Sequence, residues 1–229
     1  MKNKNIKVVE SEWDEYWFRS LKKNKINKFY DKCAYFYRNF LIGPSFKYYI
    51  NKYFSKNADL LHAGCGGGEI DNFVIKNFNI TAVDISSNAL KLYQKLNPKT
   101  VTKKMDIFDM NLSNKKFDGI YNLGVVEHFN EEQFIELLKH FKTHLKSNGK
   151  IVLFWPPKYG FSVIALHIIH FIINKILKYN IKLHPDEPFK YQSKSKLEKI
   201  IKPIGLKINK THFNYRDAFT YSIVIIELS

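Results

Sequence analysis

The chain reads as an α/β protein built on a mostly parallel sheet with helices on both faces. Two observations carry that reading. From residue 58 onward, short apolar runs alternate with helical patterns. The last two extended runs, 206–213 and 219–228, are joined by too few residues to hold a crossover helix, so they are expected to pair antiparallel. At 229 residues the chain can bury one full core, and a single domain is expected.

Residues 1–55 are rich in aromatics and lack a strand pattern. Trp13, Trp17 and Leu21 share helical spacing, as do Phe29, Cys33, Phe36 and Phe40, which predicts a helical N-terminal cap that packs on the core or covers a site. The main α/β core is expected over 56–157. Its first strand is Asp59 to His62, followed by a glycine cluster, a helix over Ile70 to Phe78 and a second strand from Ile80 to Asp84. Ser86 or Ser87 caps the next helix, which stops before Pro98. A weaker strand lies near Val101 to Met105 and a fourth over Phe117 to Leu123. Asn130 with Gln133 three residues on forms a capping box, and Phe134, Leu137, Leu138, Phe141 and Leu145 give that helix its apolar stripe. Ser147-Asn148-Gly149 is expected to end it, and Ile151 to Trp155 is the fifth strand, stopped by Pro156-Pro157. Residues 158–204 read as a helical insertion, with Ser193 starting a helix through Leu197, Ile200 and Ile201, and 205–229 as the terminal hairpin.

Composition excludes several classes. The two cysteines, Cys33 and Cys65, offer neither a disulfide framework nor zinc spacing. The first residues carry no apolar signal stretch, so a cytoplasmic protein is the default. The net charge of +16 invites a nucleic-acid partner. Against it, lysine, asparagine, isoleucine, tyrosine and phenylalanine are abundant together, as in an AT-rich coding sequence, and arginine occurs only at Arg19, Arg38 and Arg216. Nucleic acid is therefore disfavoured. The segment 161–178 is greasy except for a stripe of His167, His170, Asn174 and Lys178. It reads as a helix on the sheet, a cap over an apolar substrate pocket, or a peripheral membrane contact. His167 and His170 lack a carboxylate partner nearby, so no metal site is expected.

The richest stretch is Leu60-Leu61-His62-Ala63-Gly64-Cys65-Gly66-Gly67-Gly68-Glu69. An apolar strand running into glycines lets the backbone approach a ligand, and Asp84, eighteen residues after Gly66, ends the second strand where a ribose diol is read. The dinucleotide pattern G-x-G-x-x-G fails, because Glu69 stands where its third glycine belongs. A P-loop fails too, because no Gly-Lys-Ser/Thr follows.

With Val83-Asp84-Ile85-Ser86, Met105-Asp106-Ile107, Phe117-Asp118, Gly124-Val125-Val126-Glu127-His128-Phe129 and Leu145 to Ile151, the glycine turn resembles the class I S-adenosylmethionine-dependent methyltransferases over about 57–157. The resemblance implies a Rossmann-like seven-stranded sheet, S-adenosylmethionine as cofactor, and methyl transfer to a small-molecule or a lipid- or glycan-linked acceptor. It implies that Gly64, Gly66 and Gly68 approach the methionine part of the cofactor, and that Asp84 accepts from both ribose hydroxyls. Asp106 would meet the adenine amino group, with Ile85 and Ile107 flanking the ring and Leu123 bordering the cofactor. One position departs: His62 stands where such enzymes often carry an acid two residues before the first glycine, as a packed or a cofactor-contacting residue.

Methyl transfer from a sulfonium needs alignment first, and a base only if the nucleophile must lose a proton. His128, just beyond the fourth strand, is the candidate base, and Glu127 beside it could orient substrate. Trp155, His184, Tyr191 and Arg216 are candidate substrate contacts. Trp155-Pro156-Pro157-Lys158 is not the Asn-Pro-Pro-Tyr motif of amino-group methyltransferases, because it follows the wrong strand and starts with Trp. Two alternatives stay open: an RNA methyltransferase, favoured by charge, and a non-catalytic S-adenosylmethionine-binding protein, kept alive by His62.

Overall fold

The computed structural model describes residues 6–21, 35–158, 160 and 188–229. Its seven strands are β1 (Asp59–Ala63), β2 (Asn79–Asp84), β3 (Val101–Lys104), β4 (Phe117–Leu123), β5 (Leu145–Trp155), β6 (Leu206–His212) and β7 (Ser222–Leu228). They form one sheet in the order β3-β2-β1-β4-β5-β7-β6. The first five run parallel, and β7 pairs antiparallel with both β5 and β6, as the short terminal connection requires. The order reverses at β1, so the crevice between β1 and β4 lies at the carboxyl edge, where ligands of open α/β sheets bind.

Five α-helices are described: α1 (Ile6–Leu21), α2 (Gly43–Tyr53), α3 (Ser87–Leu96), α4 (Glu131–Thr143) and α5 (Lys194–Ile201). The central strands are buried on both faces, which is why β1, β4 and β5 read as near-continuous apolar runs. On one face Phe134, Leu137, Leu138 and Phe141 of α4 and Leu197 and Ile201 of α5 pack on Leu61, Ile120, Ile151 and Leu153. On the other, Phe46, Tyr49 and Ile50 of α2 pack on Leu60, Tyr121, Val152 and Phe154. Local signals set the helix starts. Asn130 and Gln133 form the complete capping box of α4, Ser86 caps α3 by accepting from the Ala89 N–H at 3.1 Å, and Ser193 caps α5.

Three expectations are corrected. The helix over Ile70 to Phe78 is a single 3-10 turn, Glu69–Phe73, followed by turns. β-Branched Val74 and Ile75 and the asparagines at 72 and 77 favour helix weakly, and buried Asp71 is drawn inward. Leu145 belongs to β5, opposite Phe117, instead of to α4. Gly119 pairs with Lys150, so Ser147-Asn148-Gly149 falls in a bulge of β5 and does not cap the helix. The hairpin connection is longer than expected, because β7 begins at Ser222 and a 3-10 turn, Tyr215–Asp217, lies between the strands. The segment 161–178, His184 and the Phe29–Cys33 part of the N-terminal pattern lie outside the described residues. Among the described residues no helix is long and apolar enough to cross a membrane.

Candidate active site

The glycine turn leaves β1 at its carboxyl end. The amides of Gly64 and Cys65 donate to the Val83 carbonyl at 2.9 and 3.0 Å, which ties the turn to β2. Gly66 and Gly68 both have left-handed backbone, and each is crowded where a side chain would start. A Cβ on Gly66 would lie 2.5 Å from the Trp17 ring, and one on Gly68 would lie 2.2 Å from the Tyr93 ring. The glycines thus admit an aromatic lid on one side and an aromatic floor on the other.

Asp84 is buried at the end of β2. One carboxylate oxygen accepts from the Gly66 N–H at 2.8 Å and the other from the Ser86 N–H at 2.9 Å. Burial raises its pKa above the ordinary 3.8, while the Ser86 and Gly66 amides and neighbouring His62 work in the opposite direction. Each oxygen has two lone pairs and spends one on the backbone, so both can still accept from a diol. Met105 N–H donates to the Asp84 carbonyl, which brings Asp106 beside the same edge. The Asp106 carboxylate accepts from Phe108 N–H at 3.0 Å, Ile107 is buried and Ile85 half-buried. Leu123 ends β4 half-buried, next to Gly124.

Sequence reading missed a carboxylate beneath the turn. Asp71 is fully buried and accepts three bonds: from Tyr93 O–H at 2.5 Å, from Tyr121 O–H at 2.8 Å and from His62 Nδ1 at 2.9 Å. A carboxylate offers acceptors only, so the imidazole presents its N–H there. Burial, together with the Asp71 charge, pushes both phenols well above the ordinary tyrosine value, which keeps them as donors. His62 lies at 4.5 Å from the Tyr121 ring, centroid to centroid. The imidazole that stands at position 62 is thus held by an acid from the turn after the glycines, Asp71. Its only sequence signal is an acid set between Ile70 and Val74, both buried.

The second missed feature is how α1 sits. Asp14 accepts from Ser86 O–H at 2.7 Å and from Asn88 N–H at 2.9 Å, fastening α1 to the start of α3. Trp17 then lies on the glycine turn, and the Trp13 ring meets the His128 ring edge-on at 5.1 Å. Glu10 pairs with Lys104 of β3 at 2.5 Å. The helix therefore crosses the carboxyl edge from β3 to the segment after β4.

Three of the four candidate substrate residues, Glu127, Trp155 and Tyr191, meet around Phe189, and Arg216 lies elsewhere, over Tyr48. Glu127 is buried in the 3-10 turn after β4, and its carbonyl accepts from Phe189 N–H at 3.1 Å. Trp155, expected at a rim, is a core residue: it is 2% exposed, donates from its indole to the Phe189 carbonyl at 2.7 Å, and packs on Phe134. Apolar burial of a large indole outweighs its place at a strand end. Tyr191 is half-buried against Trp155. Arg216 is exposed in the hairpin connection, with its guanidinium 4.0 Å from the centre of the Tyr48 ring. Asp118 sits at the opposite end of β4, where it accepts from Asp59 N–H and from Lys146 Nζ, both at 2.8 Å. Among the described residues no group of three His, Cys, Asp or Glu side chains is arranged to hold a metal ion.

Comparison with known proteins agrees with this geometry. A family described as "Methyltransferase domain" matches residues 61–153. A ubiquinone biosynthesis O-methyltransferase from Pelagibacter ubique is 33% identical over 98 residues, covering 41% of this chain and 40% of that protein. The chain thus spans well under half the length of this curated relative. Among solved structures, magnesium protoporphyrin IX methyltransferase from Synechocystis PCC 6803 with bound SAH has a TM-score of 0.65 at 16% identity, covering 98% of this chain and 100% of the other. An S-adenosylmethionine-dependent methyltransferase from Clostridium acetobutylicum has a TM-score of 0.61 at 18% identity, covering 87% and 99%. The matched domain over residues 61–153, the Rossmann-like sheet and the glycine turn bonded to Asp84 make the chain similar to the class I S-adenosylmethionine-dependent methyltransferases.

Proposed function

We propose that the protein transfers a methyl group from S-adenosylmethionine to a hydroxyl of a small-molecule acceptor. The observation that carries the cofactor part is Asp84: two backbone bonds orient the carboxylate and leave an acceptor site on each oxygen for the ribose. The donor set suits the group, since Gly64, Gly66 and Gly68 open the backbone and Asp106 faces the same edge. A methyl already activated on a sulfonium is what the cofactor supplies when bound. The chain's own work is to hold, align and dehydrate. Trp17 covers the turn, Trp13 covers the His128 ring, and the Asp71 network holds the floor beneath them.

His128 takes the acceptor's proton in this reading. It follows β4 at the carboxyl edge, and Trp13 packs on its ring. The hydroxyl acceptor is supported by relatives named O-methyltransferases, including the Pelagibacter protein and a mitomycin 7-O-methyltransferase. In the same reading, α1 and α2 act as a cap, 56–157 holds the cofactor and 205–229 completes the sheet, as one domain.

Calorimetric titration with S-adenosylmethionine tests the first step. Wild type is expected to bind, and Asp84→Ala to bind at least about tenfold more weakly, as the loss of a charged hydrogen-bond acceptor implies. Absence of binding by wild type would sink the proposal. With an accepted substrate in hand, His128→Ala should lose about 10² or more in kcat. Near-normal turnover removes it from the mechanism.

A further inference from the structure

A cluster of rings stands exposed beside the site. Phe36 and Phe40 precede α2, Tyr48 lies on it, and Phe213, Tyr215 and Phe219 lie on the β6–β7 connection; their exposure runs from 39% to 73%. The two groups belong to one surface. Tyr37 O–H and Thr220 Oγ1 are hydrogen-bonded at 2.6 Å, and Arg216 rests on Tyr48. The surface also belongs to the carboxyl edge of the sheet. Trp155, the last residue of β5, pairs with Ser222, so the connection before Ser222 lies beyond the end of β5, and Arg38 pairs with Glu69 of the glycine turn at 2.6 Å. Exposed aromatic clusters of this size mark interaction surfaces.

Apart from Glu69, which pairs with Arg38, the charge carried by the ring-bearing segments is positive. Residues 35–54 contain Arg38, Lys47 and Lys52 and no acid. Residues 206–221 contain Lys210 and Arg216 toward the connection and Lys207 at the far end of β6, paired with Glu227; their single acid, Asp217, is buried and accepts from the Tyr221 N–H. Such a surface repels cationic partners and attracts anionic ones. Two anionic partners fit, a lipid surface and a nucleic acid, and the rings decide between them. Phe36 stacks on Phe40 at 4.4 Å and Phe213 meets Phe219 at 5.2 Å, so the rings already pair with one another and do not present single planes for bases. Arg38 and Arg216, the planar forks suited to nucleic-acid phosphates, are engaged by Glu69 and Tyr48. Aromatic clusters ringed by lysine are the composition of a protein seated at the headgroup level of an anionic bilayer.

We infer that this rim docks the protein on an anionic lipid bilayer, with the carboxyl edge of the sheet facing the headgroups. The inference does not rest on methyl transfer, because it uses only the exposed rings and the charge beside them. An acceptor dissolved in the bilayer would reach the site without crossing bulk water.

Flotation with vesicles tests it, using the full chain without cofactor. Vesicles of phosphatidylcholine containing about 30% phosphatidylglycerol should capture the protein at about 0.1 M salt, and phosphatidylcholine alone should bind about tenfold less. The variants Phe36→Ser/Phe40→Ser and Phe213→Ser/Tyr215→Ser should each weaken capture about tenfold, as loss of buried ring area implies. Their melting temperatures and S-adenosylmethionine binding should match wild type, which separates loss of docking from loss of fold. Tyr215→Trp should show emission quenched by brominated lipid. Equal capture of wild type and both double variants overturns the inference. So does a lipid-free dimer that the same variants abolish, or RNA that displaces the protein from vesicles through the same residues.

Discussion

Asp71 is the residue on which the floor of the site turns. Three donors from three different elements converge on one buried carboxylate. Removing it leaves an imidazole N–H and two phenol O–H groups buried without acceptors, so Asp71→Ala should cost about 3–5 kcal/mol in urea denaturation. A double-mutant cycle with His62→Ala should show a coupling above about 1 kcal/mol, since the two side chains share a bond. Asp84 carries the pH response of the site. Its folded pKa is raised, so burying it ionised opposes folding; its contribution to stability falls as pH rises from 3.8 through the folded value and is flat above it. The ribose needs the ionised form as acceptor. Cofactor affinity, followed by titration at stepped pH, should therefore start to fall on acidification at a pH above that of an ordinary aspartate. His62 alone looked like a missing acid. Its partner was not legible because nothing in the sequence brings positions 62, 71, 93 and 121 together before the sheet forms.

The strands and capped helices were legible because their signals are local. β4 runs over Phe117–Leu123 as expected, and the capping box of α4 is in place. Asn130→Ala should cost about 0.5–2 kcal/mol, whereas Phe134→Ala, which empties a fully buried site against Trp155, should cost about 3–5 kcal/mol; thermal melts of the two variants separate the contributions. The failures have tertiary causes. The segment after the glycines is short of helix formers and is held by Asp71, so it closes as one 3-10 turn. Gly149 followed a helical stripe and read as a stop, yet pairing of Leu145 with Phe117 had already taken the chain into the sheet. Trp155 and Arg216 read as site residues from their positions at strand ends, and packing sent one into the core and the other onto Tyr48.

Across the fold, α1 joins parts that are far apart in sequence. Asp14 is its main fastening, and the Asn88 and Ser86 donors hold that carboxyl below its usual range even though burial pushes the other way. Asp14→Ala should loosen the helix without unfolding the sheet. The expected signs are faster trypsin cleavage within residues 6–21 and a faster cofactor off-rate in stopped flow, with little change in melting temperature. The two outer strands show a different economy. β3 is four residues long and carries Lys103 and Lys104, and β6 carries Lys207 and Lys210 on either side of a bulge at Asn209, between Ile208 and Lys210 in the pairing with β7. A bulge breaks the ladder a second sheet would extend, and lysines on a short edge strand repel another copy. A chain in which 45% of residues are hydrophobic thus carries its own protection against edge-to-edge growth, at both margins of the sheet. The interior strands can keep their long apolar runs because the two at the margins are built to recruit nothing further.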